Sequence, residues 1–129
     1  MSEIIKSDLD VSILLGKILK SIENFSSQED FLLFETIEGE QYKLYHDQQC
    51  CEDVHIESIV GDLNDLIGEP LLESEVVSNY DNAPMDGVQR ESFTWTFYKF
   101  GTRKGYVTIR WFGESNGYYC ETARMDRIR

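Results

Sequence analysis

Residues 92–122 read SFTWTFYKFGTRKGYVTIRWFGESNGYYCET and hold 10 of the chain's 16 aromatic residues. In 92–100, Phe93, Trp95 and Phe97 alternate with Thr94, Thr96 and Tyr98. In 106–112, Val107, Ile109 and Trp111 alternate with Tyr106, Thr108 and Arg110. Successive side chains of an extended chain point to opposite faces, so this alternation of aromatic and β-branched residues spells strands. Gly101–Gly105 and Gly113–Gly117 supply the turns between them, and Asn116-Gly117 tolerates positive φ. Tyr118–Met125 is expected to close a three-strand meander.

Upstream, the punctuation is similar. Residues 1–10 read as a polar, flexible lead-in, followed by an apolar knot, Val11–Leu15, that suits one helical turn ended by Gly16. Lys17–Asn24 fits a first strand. Gln28–Ile37 and Gln41–Asp47 flank Glu38-Gly39-Glu40 as a hairpin, with Tyr42, Leu44 and His46 on one face and Lys43 and Tyr45 on the other. Val54–Val60 alternates only in part. After Gly61, Asp62 is placed to cap a short helix through Ile67, stopped by Gly68 and Pro70. Pro70–Ser78 gives one more strand, and polar 79–90 is the longest expected loop. The expected fold is α+β, mostly β: an antiparallel sheet of about 6–8 strands ending in the meander, with one short helix near 62–67, in a single domain spanning 1–129.

Composition narrows the function classes. A chain of 129 residues with 41% hydrophobic residues can form a real core. No apolar run approaches the ~18 residues of a membrane span, and the start lacks the basic and small-residue features of a signal peptide. Three cysteines, two of them adjacent, do not make a disulfide framework, which suits a cytoplasmic location. The net charge is −12 and uneven: 1–90 hold 20 acids and 5 bases, net −15, whereas 91–129 are net +3. Such a chain repels a nucleic-acid backbone, while its acidic part suits a basic partner protein.

Two groups of residues are candidates for chemistry. His46, Cys50, Cys51 and His55 combine imidazole and thiol, the ligand types of zinc and the parts of a cysteine nucleophile. The spacing argues against both, because adjacent cysteines of a strand point apart and neither a C-x-x-C nor an H-x₃-H pattern occurs. No metal or other cofactor is expected. A structural role is the main expectation for this cluster, with His46 and one cysteine packed inside or hydrogen-bonded at a strand end, and a reactive or ligand-binding thiol is the alternative. Arg110, Trp111, Asn116, Tyr118 and Tyr119 are the ligand-binding candidates, since an arginine among aromatics can clamp a phosphate or stack on a base. The competing expectation is that the aromatics fill a core or a dimer seam while Arg110 pairs with an acid.

The pattern YHDQQCCEDVHIESIVGDLNDLIGEPLLESE at 45–75, followed by ESFTWTFYKFGTRKGYVTIRWFGESNGYYCE at 91–121, resembles a family of small uncharacterised proteins of bacteriophages, prophages and their bacterial hosts. The resemblance covers Leu15–Glu121. The sequence departs from the family at Val60, where relatives tend to carry a small residue or Cys, and at Cys120, where Ser is usual. What the resemblance implies is context: a phage-type accessory protein in the host cytoplasm, with no catalytic residue to carry over. The expected function is therefore a non-enzymatic protein that inhibits or sequesters a host component, such as an antiviral-defence protein, by protein–protein contact. Two alternatives stand: sequestration of a nucleotide-derived small molecule, and a thiol- or metal-dependent enzyme. Homodimerisation is left open.

Overall fold

The computed structural model describes residues 4–26, 29–79 and 92–129. The expected loop at 79–90 lies outside them except for Asn79. Nine strands form two antiparallel sheets. The first contains β1 (Lys6–Leu9), β2 (Leu19–Phe25), β3 (Phe31–Thr36), β4 (Gln41–Tyr45) and β9 (Arg124–Arg127) in the order β1-β9-β4-β3-β2. The second contains β5 (Asp53–Val60), β6 (Glu73–Asn79), β7 (Ser92–Thr102) and β8 (Gly105–Ser115) in the order β5-β8-β7-β6. Mostly β and antiparallel, as the alternation requires, the strands divide between two sheets rather than lying in one.

The core is where these sheets face each other. Thr96 pairs with Trp111, Tyr98 with Ile109 and Phe100 with Val107, so these side chains share the inner face. Opposite them lie Leu32, Phe34, Tyr42, Leu44 and Met125, with the Phe34 and Phe100 rings 5.3 Å apart. The N-terminal strands thus cover one face of the aromatic hairpin.

Other expectations are refined. The helix at 62–67 is a single 3-10 turn, Leu63–Leu66, whose Asn64 N–H donates to Asp62 Oδ1 at 2.9 Å. The apolar knot is a second such turn, Val11–Leu14, capped by Asp10 in the same way. Part of the expected lead-in is ordered as β1, because β9 offers it a free edge. The broken alternation of 54–60 marks a register shift between Ile56 and Ser58.

The C-terminal meander needs the largest correction. Three consecutive antiparallel strands do form, but they are β6, β7 and β8. The chain beyond β8 leaves that sheet and inserts as β9 between β4 and β1, where Met125 is 1% exposed and joins the core. The β7–β8 turn is tighter than the glycines suggest, with Thr102 paired to Gly105. Gly113 is not in a turn at all. It is buried within β8, where a Cβ would stand 2.0 Å from the Glu121 carbonyl oxygen, so only glycine lets the returning chain pass this close.

Candidate functional site

The segment after β4 folds around one carboxylate. Glu52 is buried, and it accepts from the Gln49 and Cys50 N–H groups at 2.8 Å each. His46 Nε2 lies 2.8 Å from the same carboxylate, while His46 Nδ1 donates to the Thr122 carbonyl at 2.9 Å. Gln48 Nε2 donates to the Cys50 and Glu52 carbonyls. Burial pushes Glu52 up, but the two backbone N–H groups and His46 outweigh it and hold the acid at about 2. A short polar loop is thereby locked in one shape, with both cysteine side chains turned to solvent.

The turn after β8 packs on this loop. Asn116 Oδ1 accepts from Tyr118 N–H at 3.0 Å, and Gly117 takes φ +90. Buried Glu121 accepts from Thr94 Oγ1 and Ser115 Oγ, which fastens the returning chain beneath Gly113. Cys50 Sγ and Cys51 Sγ are 2.6 Å apart. Cys50 is lowered, chiefly by Cys51 and next by Tyr119, whereas Cys51 is raised by Cys50. A cavity of about 240 Å³ lies alongside, lined by His46, Gln49, Cys120 and Arg124 among others.

The sequence groups are therefore regrouped in space. His46 is a structural residue whose ring nitrogens both face oxygens, leaving neither to deprotonate a thiol. His55 is engaged elsewhere, with its nitrogens 3.2 Å from Asp53 and Glu57. Among the described residues, no three His, Cys, Asp or Glu side chains are grouped to hold a metal ion. Trp111 is fully buried in the core and not available to a ligand. Arg110 points to the opposite face of its sheet, 4.2 Å over the Trp95 ring, and Trp95 in turn lies 4.6 Å from Phe112. It makes no ion pair among the described residues, and its Nε is buried without a hydrogen-bond partner. Five residues separate Arg110 from the end of β8, about 16 Å at ordinary strand rise, so Arg110 and the Tyr118–Tyr119 turn are separate features.

The outer face of the five-stranded sheet holds what the sequence reading missed. Strand register sets Phe25, Phe31, Tyr45 and Arg124 in one row, and Glu23, Leu33, Lys43 and Asp126 in the next. Phe25, Phe31, Leu33, Lys43, Tyr45 and Asp126 of these rows, together with Ile4 and Ile128, line a groove of about 440 Å³. The Phe25 and Phe31 rings stack at 4.6 Å, and Lys43 Nζ lies 4.7 Å over Phe31 and 4.4 Å over Tyr45. Fully buried Asp126 anchors the groove, accepting from Tyr45 Oη at 2.5 Å, from Asp8 N–H at 2.9 Å and from the Arg124 guanidinium. Burial and then Asp126 push Tyr45 up to about 12. The signal was present in the outward alternation of Phe31, Leu33, Lys43 and Tyr45, but its meaning depended on β9 supplying Asp126 and Ile128.

The fold and these surfaces define a two-sheet antiparallel β protein with an apolar groove on one sheet and a clamped dithiol loop at its edge. No helix among the described residues is long and apolar enough to cross a membrane. The chain belongs to the family described as domain of unknown function DUF7448, whose model matches residues 12–125. No curated protein and no solved structure matches it.

Proposed function

We propose that this is a non-enzymatic binding protein that holds a partner protein through the outer face of its five-stranded sheet. The open groove carries this reading. Aromatic and aliphatic side chains surround a cavity large enough to seat an anchoring side chain, which is how the central part of a protein interface is built. Glu23 and Glu35 share that face, and 1–90 are net −15, so a basic segment presenting an apolar anchor is the complementary partner. Inhibition or sequestration of a host component by a phage-type protein is one setting in which such contact acts. The test compares capture from bacterial lysate by the wild type and by Phe31→Glu. A basic protein held by the wild type, released by added salt and absent with Phe31→Glu supports the reading. Equal capture by both, or none at micromolar protein, overturns it.

Arg110 favours a second reading. An arginine stacked on Trp95 suits an anionic ring-bearing ligand such as a nucleotide-derived signal. A nucleotide at 100 Kd would stabilise the protein by about 2.7 kcal/mol, and Arg110→Ala would abolish the shift. No shift with any nucleotide refutes this version.

A further inference from the structure

We propose that Cys50 and Cys51 form a thiol–disulfide exchange site that reacts with low-molecular-weight disulfides and closes into a bond between the neighbouring cysteines. Three features of the loop point there. Both thiols are exposed, so a small disulfide can reach them. Their sulfurs are 2.6 Å apart, far closer than unbonded sulfurs ordinarily pack and approaching the roughly 2.05 Å of a covalent pair. The backbone that carries them is pinned at Gln49 N, Cys50 N, Cys50 O and Glu52 O, so little order is left to be gained on closure.

The chemistry divides the roles. Of the pair, Cys50 is lowered and Cys51 raised, chiefly by each other, so Cys50 is the attacking sulfur. Its thiolate attacks one sulfur of the disulfide RSSR, forming Cys50–S–SR and expelling RS⁻. The Cys51 thiolate then attacks Cys50 Sγ, forming the Cys50–Cys51 bond and expelling the second RS⁻. Two electrons pass from the cysteine pair to RSSR, and the two cysteine protons end on two RSH. Adjacent Cα atoms sit about 3.8 Å apart, shorter than the roughly 4.4–6.8 Å usual for disulfides, so the closed form is strained and readily reduced. The pair is thus a reversible site rather than a staple. It is independent of the groove and of Arg110.

The experiment uses oxidised glutathione and intact-mass measurement of the full chain, followed by peptide mapping. The wild type is expected to lose two hydrogens with the bond mapped to Cys50–Cys51, and to regain them with excess reduced glutathione. Cys51→Ser should stop at one glutathione adduct on Cys50, and Cys120→Ser should behave as the wild type. No loss of hydrogens from the wild type, a bond that needs Cys120, or no adduct on Cys51→Ser overturns the proposal.

Discussion

Replacing Glu52 with Gln tests whether one carboxylate organises the loop between the sheets. Glu52 Oε2 receives Gln49 N–H and faces His46 Nε2, while Oε1 receives Cys50 N–H. A glutamine presents one accepting oxygen and one donating amide. Whichever way it turns, at least one backbone N–H faces another donor. An orphaned buried N–H costs about 1–3 kcal/mol, and each surviving bond loses its charge assistance, about 1 kcal/mol apiece. The expected loss is about 3–5 kcal/mol, a large share of the roughly 5–15 kcal/mol that holds a domain of this kind. Urea unfolding at pH 7 reads it as a midpoint lower by roughly 2 M at an ordinary slope.

The acid limb provides a second reading of the same variant. Glu52 sits at about 2 in the folded protein against an ordinary 4.5, so its contribution is complete above pH 4.5 and is lost as pH falls toward 2. The stability gap between wild type and Glu52→Gln should therefore narrow through that window. A midpoint shift below about 0.5 M, or a gap that does not change with pH, would refute the account of the loop.

Two further outcomes follow from the packing. Tyr45→Phe removes one donor from buried Asp126 and should cost about 1.5–3 kcal/mol. Tyr45 is raised to about 12 from an ordinary 10, so its contribution is complete below pH 10 and fades as pH rises through 12; the variant's alkaline unfolding should be shallower there, though Tyr42 and Tyr98, also raised by burial, preserve part of the slope. Gly113→Ala sets a methyl against the Glu121 backbone and should cost about 3 kcal/mol, roughly 10 °C in Tm, whereas Gly101→Ala meets only the mostly exposed Tyr106 ring, a side chain with room to turn aside, and should cost clearly less. Equal melting temperatures for the two glycine variants would show that the returning chain gives way freely.

Local pattern alone located most of the strands, β1 excepted. Alternation at 92–112 fixed which side chains of β7 and β8 share a face but not which face turns inward, Asp62 fixed one capped turn, and Glu38-Gly39-Glu40 fixed the β3–β4 hairpin, because each depends on neighbours a few residues away. The cysteine pair and His46 were also visible as unusual residues; His46 is hydrogen-bonded just past β4, whereas both neighbouring cysteines are exposed and neither packs inside. What the pattern could not decide was pairing at long range. An edge strand has the same period whichever sheet it joins, so only tertiary packing sent Arg124–Arg127 to β4, where burying Met125 and satisfying Asp126 favour it. That one choice completed the groove and placed the Thr122 carbonyl on His46. Strand period alone sets Trp111 and Arg110 on opposite faces.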